Sequence, residues 1–161
     1  RDDDILITGK RHDFYSDYEV GFNDKGIIEG LKIKLLSRCG ISPDLSGAIN
    51  GRALLHIDNA YYLSDVLVEN YLCKTNTSSS TAFRGFGGNQ GMMIIENIID
   101  NVAKYLKKDP AIIRKLNFYQ KNKKNITHYG MKIQDNVINE IFNKLIKSSN
   151  YNKRNFNFIK I

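Results

Sequence analysis

The sequence has 161 residues, of which 42% are hydrophobic and 25% are charged, the composition of a globular protein large enough for one core. No apolar run approaches the ~20 residues that a bilayer-spanning helix needs, and the charged opening RDDD is unlike a signal peptide. We therefore expect a cytoplasmic protein with no membrane partner. Two cysteines and three scattered histidines predict neither a disulfide framework nor a metal bound directly by side chains.

The net charge of +7 is unevenly distributed. Residues 1–90 carry 10 Lys/Arg and 12 Asp/Glu, whereas residues 91–161 carry 14 and 5. A basic half can bind nucleic acid, but it can equally form solvated helix faces. Because the lysines occur singly or in short pairs with few interleaved aromatic residues, we expect no nucleic-acid partner.

The first half has the alternating pattern of β-strands. FYSDYEVGF at 14–22 alternates apolar and polar residues, NDKG at 23–26 is typical of a turn, and LKIKL follows. These stretches predict an antiparallel hairpin over 14–38. VLVENYLCK at 66–74 predicts a further strand.

The second half has helical periodicity. Apolar residues recur at helical spacing from Met92 to Leu106, and Asp109 with Pro110 predicts the start of a short helix ending at Leu116. A third apolar stripe runs over 133–146, SSNYNKRN predicts a polar exit, and the final NFNFIKI has no assignment. The sequence thus predicts an α+β fold, with an antiparallel sheet region followed by helices.

The stretch TAFRGFGGNQG at 81–91 is a glycine-rich loop that precedes the first of these helices. It lacks GxxxxGK[ST], and the third glycine of GxGxxG would fall on Gln90, so neither known phosphate motif fits. The glycines allow positive φ and close approach, and their amides can donate to anionic or oxo groups. Arg84 adds a cation and Phe86 a ring face. The alternative is a tight strand-to-helix turn with its phenylalanines in the core.

The string KTNTSSSTAFRGFGGNQGM closely resembles KTN…TAFRGFGGPQGM, a signature of the xanthine dehydrogenase and aldehyde oxidase family of molybdenum hydroxylases. The segments RDDDILITGKRHDF, DLSG…RALLHIDNAYY, DP…RKLNFY and YGMKIQDNV are similar to the same family, in the same order. The resemblance covers residues 1–151, which we interpret as part of a larger molybdopterin-binding domain, and leaves 152–161 unassigned. Asn89 departs from the family pattern, which has Pro there.

The resemblance implies a molybdopterin cofactor that holds molybdenum through the pterin, with [2Fe–2S] clusters and FAD on other domains or subunits and NAD as acceptor. It places Arg84 beside the molybdenum and Gly85, Gly87 and Gly88 at the cofactor. Arg52 would pair with an oxygen of a purine substrate, and Phe86 would stack on its ring. Since the position of Arg52 is usually apolar in aldehyde oxidases, an arginine there favours hypoxanthine or xanthine as substrate.

The same resemblance places the general-base glutamate outside these 161 residues, so no catalytic residue is predicted within them. We expect a fragment of an enzyme that is a homodimer or hetero-oligomer when complete. An aldehyde oxidase-like or other N-heterocycle hydroxylase, a non-catalytic remnant of such an enzyme and a basic nucleic-acid-binding module are the alternatives. The exact substrate, the electron acceptor and the subunit arrangement stay open.

Overall fold

The computed structural model describes residues 2–158, with the side chains of residues 5 and 155–158 excepted. The strands are β1 Phe14–Phe22, β2 Ile28–Gly40 and β3 Val66–Lys74. The helices are α1 Asp2–Ile7, α2 Ser46–Leu55, α3 Gly88–Leu106, α4 Pro110–Asn117, α5 Ile138–Ser148 and α6 Tyr151–Phe158. The chain therefore has the predicted α+β class.

The three strands pair in the order β1-β2-β3. β1 and β2 form the predicted antiparallel hairpin, in which Tyr18 pairs with Ile33, and the backbone turns at Gly26 with φ +96°. The predicted third strand is present, but β3 runs parallel to β2. The sheet is therefore mixed rather than wholly antiparallel, because α2 carries the chain back across it, as a parallel pair requires.

The core lies between one sheet face and the helices α2 and α3. Ile33 and Leu35 of β2 are fully buried, as are Ile95 and Ile98 of α3. The alternation of β2 and the helical period of α3 bring these apolar residues to one interface, which fixes α3 across the sheet. The loop that precedes α3 is thereby held at one end of the sheet.

The helix ends agree with the sequence signals in part. The Asp109 side chain accepts a hydrogen bond from the Ala111 amide at 2.8 Å, which caps α4 as predicted. The stripe predicted from Ile133 becomes helical only at Ile138, because residues 125–133 form an extended turn in which the Ile133 amide donates to the Asn125 carbonyl. The predicted polar exit is confirmed for the end of α5 at Ser148, but it is wrong from Tyr151, where α6 begins. Residues 159–161 of the tail lie outside the described residues.

Of the helices in residues 2–158, none combines the length and apolar character that crossing a membrane would require.

Candidate functional site

The glycine-rich loop enters α3 through a tight double turn. The Phe86 amide donates to the Phe83 carbonyl at 2.8 Å, and the Gly88 amide donates to the Gly85 carbonyl at 2.9 Å. Gly85, Phe86 and Gly87 all have positive φ, at +96°, +48° and +93°. Phe86 is the unusual member, because a side chain in the left-handed region costs roughly 1–2 kcal/mol. Such strain is typical of a backbone whose shape is required by its surroundings.

The glycines at the start of α3 face helix α2. A Cβ on Gly87 would lie 2.0 Å from the Ile49 carbonyl oxygen and 3.1 Å from the Ala53 nitrogen. A Cβ on Gly91 would lie 2.3 Å from the Ala53 oxygen, so the two helices meet through their main chains. Glycine is therefore required here for close packing of α3 on α2.

This packing brings together two segments that carry predicted site residues. Phe86 directly precedes Gly87, and Arg52 directly precedes Ala53, so each is one residue from the point where loop and helix touch. Phe86 is half-buried, whereas Arg52 is exposed on α2. The spacing of 34 residues between Arg52 and Phe86 along the chain gives no hint of this proximity.

The loop and the adjoining helix carry hydrogen-bond donors that have no partner among the described residues. Within the described part of the chain, the amides of Gly85 and Gly87 donate to no acceptor. Arg84 and Arg52 are exposed, and neither guanidinium has a hydrogen-bond or ion-pair partner among residues 2–158. Arg84 and the two amides of the loop, with Arg52 on the adjoining helix α2, can receive an anionic or oxygen-rich group.

Two predicted positions have other contacts. Gly88 is buried, and a Cβ there would lie 3.0 Å from the His56 ring, so its missing side chain makes room for His56. A Cβ on Gly85 would lie 2.5 Å from the side-chain amide of Asn89, the residue that replaces the family's Pro. Asn89 therefore covers one face of Gly85.

His12 lies behind the loop, in the interior. It is 2% exposed, and its Nε2 lies 2.7 Å from the Ser46 hydroxyl at the start of α2. Burial lowers the pKa of His12, partly opposed by the carboxylate of Asp44. A buried, largely uncharged histidine of this kind supports packing of the segment against α2.

A polar network that the sequence analysis did not identify fixes the other side of α3. Glu96 accepts hydrogen bonds from the Tyr61 hydroxyl at 2.6 Å, from Asn59 at 3.0 Å and from the Arg114 Nε at 2.9 Å. Arg114 also donates to Asp100 at 2.9 Å. Burial and the Glu96 carboxylate raise the pKa of Tyr61. Nothing in the spacing of these residues could have shown that they meet.

Comparison with known proteins gives a consistent family. The profile of the family described as "Molybdopterin cofactor-binding domain" matches residues 1–118. The chain is 42% identical over 154 residues to xanthine dehydrogenase/oxidase of Gallus gallus, and 40% identical over 154 residues to xanthine dehydrogenase of Dictyostelium discoideum. Each alignment covers 96% of this chain, and the chain spans only 11% of either relative's length.

A solved structure shares the fold. The aldehyde oxidoreductase from Desulfovibrio desulfuricans superposes with a TM-score of 0.82 at 23% identity, over 91% of this chain and 16% of that one. At this identity the likeness supports the fold alone.

Proposed function

Because the chain belongs to the molybdopterin cofactor-binding domain family, we propose that it forms part of an oxidoreductase that hydroxylates a purine, hypoxanthine or xanthine, at a molybdenum centre. The observation that carries this proposal is the position of Arg52. It is an exposed cation without a partner among residues 2–158, one residue from the contact between α2 and the glycine-rich loop. The similarity to xanthine dehydrogenases favours the same substrate class.

The loop residues fit the cofactor. The amides of Gly85 and Gly87 have no acceptor among residues 2–158, and the Arg84 guanidinium is exposed, so all three can donate hydrogen bonds to an oxygen-rich metal–pterin group. When bound, the molybdenum cofactor supplies the redox chemistry of hydroxylation. Arg84, Gly85 and Gly87 would hold it by donating hydrogen bonds, and Gly88 would contribute by letting α3 begin close to α2.

Arg52 and Phe86 would then bind and orient the substrate. A guanidinium can donate charge-assisted hydrogen bonds to a purine carbonyl oxygen and offset negative charge that develops on the ring. Phe86 would offer a ring face against which a flat heterocycle can stack. Fixing the heterocycle from two directions lowers the entropic part of the barrier.

The remaining parts of the reaction belong to the whole protein. We propose that the general base lies on a segment outside these 161 residues. The electrons would leave through [2Fe–2S] and FAD groups on other domains or subunits to NAD, in a cytoplasmic homodimer or hetero-oligomer.

The test is Arg52→Met in the purified whole protein, with Lys32→Met, an exposed lysine on β2, as control. We expect kcat/KM for xanthine to fall roughly 100- to 1,000-fold, because a donor that stabilises developing charge is lost. For a heterocycle that lacks an exocyclic carbonyl oxygen we expect less than about a threefold change in kcat/KM. Unchanged xanthine turnover in Arg52→Met, with molybdenum still bound, would refute the purine assignment. An equal loss on both substrates would indicate that Arg52 supports the site rather than selecting the substrate.

A further inference from the structure

We propose that Arg11 is a positioning residue that holds the Phe83–Arg84 part of the glycine-rich loop in its working shape. Its effect on catalysis rests on the proposed function, whereas its effect on the loop does not. Arg11 lies 73 residues before Arg84 and belongs to a different segment, between α1 and β1.

The Arg11 guanidinium makes two contacts with adjacent loop residues. Its Nη2 donates to the Arg84 carbonyl oxygen at 2.7 Å, a charge-assisted hydrogen bond. Its Cζ lies 4.3 Å from the centre of the Phe83 ring, within the range of a cation–π interaction. A planar guanidinium combines a stacked face with directed donors, which the ammonium group of lysine does not, so a lysine is a poor substitute.

The backbone around Arg11 is fixed independently of its side chain. The Lys10 carbonyl accepts from the Thr81 amide at 2.9 Å, and the His12 carbonyl accepts from the Gln90 side chain at 3.1 Å. Residues 10–12 therefore meet the loop at its start and its end through main-chain groups. Arg11 supplies the middle contact, and its removal should release the centre of the loop while leaving the segment in place.

The centre of the loop has little other support. Phe83 is 59% exposed, and among the described residues no other side chain donates to the Arg84 carbonyl. Phe83 also provides the carbonyl that accepts from the Phe86 amide, so it begins the double turn that places Phe86. A shift of Phe83 would consequently be transmitted to both Arg84 and Phe86.

The experiment compares Arg11→Met and Arg11→Lys with the neighbouring control Lys10→Met in the whole holoenzyme. Among the described residues, the Lys10 amino group donates only to Thr8, within its own segment. We expect amide exchange over 82–88 to become about tenfold faster or more in both Arg11 variants. Methionine removes the charged hydrogen bond and the cation, whereas lysine keeps the charge but loses the planar face and the directed donors of the guanidinium. Purine kcat should fall roughly 10- to 100-fold with less change in KM, as expected for misplaced groups. Thermal unfolding should match the control.

The outcomes separate this inference from the proposed function. The inference about Arg11 would be overturned if amide exchange over 82–88 in both Arg11 variants stayed within about twofold of the rate in Lys10→Met. The loss of either contact should raise the exchange rate by more than twofold. If Arg11→Met fails to fold, the Arg11→Lys comparison decides. A wild-type protein without molybdenum or purine turnover would defeat the proposed function, yet the exchange comparison would still decide whether Arg11 holds the loop.

Discussion

Replacing Gly87 by alanine tests whether the contact between α2 and α3 determines the shape of the loop. The backbone of Gly87 has φ +93°, where an alanine costs roughly 1–2 kcal/mol. Its Cβ would lie 2.0 Å from the Ile49 oxygen, whereas real contacts of this kind stay beyond 3.0 Å, so the helices must separate by about 1 Å. Overpacking of this kind adds about 1–3 kcal/mol, which gives a total of about 2–5 kcal/mol.

The assay is hydrogen exchange in the whole protein over the peptides 46–55 and 88–98. A local loss of 2 kcal/mol corresponds to roughly 30-fold faster exchange, and larger losses to more. Gly47→Ala is the control, because Gly47 lies in α2, on the other side of the contact, and a Cβ there meets nothing within 4 Å. That variant should be neutral or more stable by up to about 1 kcal/mol. Equal exchange in the two variants would show that the close main-chain contact is not required.

Two further substitutions test the supports of α3 and α6. Glu96→Gln should lower the free energy of unfolding in urea by about 1.5–3 kcal/mol, since Tyr61 and Arg114 lose a charged acceptor. The control is Glu140→Gln, at an exposed glutamate paired with Lys121, which should lower it by less than about 1 kcal/mol. Equal losses would contradict the assigned role of the network. Burial and the hydrogen bond to Asp109 raise the pKa of Tyr151 from 10.0 to about 12. The contribution of the neutral Tyr151 hydroxyl to the stability of the folded state is therefore complete below pH 10 and is lost as the pH rises towards 12. The phenolate absorbance that Tyr151→Phe removes should therefore titrate near pH 12, and a midpoint near 10 would show that this hydrogen bond is absent.

The elements predicted from the sequence are those in which buried and exposed residues repeat at the regular spacing of a strand or a helix. The hairpin of β1 and β2 alternates apolar and polar residues, and α3 places isoleucines at helical spacing, so local pattern sufficed. Helix α2 escaped prediction because two of its four buried residues, Ser46 and Asn50, are polar. Without α2 the direction of β3 could not be predicted, since only a crossover helix makes it parallel to β2.

The candidate site was predictable in composition but not in arrangement. The glycines of 85–91 indicate close approach, yet spacing alone cannot say whether the approaching group is a ligand or another helix. The structure shows that Gly87 and Gly91 meet α2. The roles assigned to Arg52, Arg84 and Phe86 through the family resemblance stay predictions. The contact between Arg11 and Arg84 could not be predicted, because no local sequence pattern connects residues 73 positions apart.

The residues that hold α2 against the loop differ from the residue proposed to select the substrate. Gly87 meets Ile49 and Ala53 without side chains of its own, so the distance between the turn that carries Arg52 and the loop that carries Phe86 is set by backbone. Arg52 itself is exposed, and the atoms nearest to a Cβ on Gly87 belong to Ile49 and Ala53. Arg52→Met should therefore change purine turnover without faster exchange in α2, whereas Gly87→Ala should change both. If Arg52→Met also loosened α2, the two functions would not be separable, and the substrate role would have to be measured in another way.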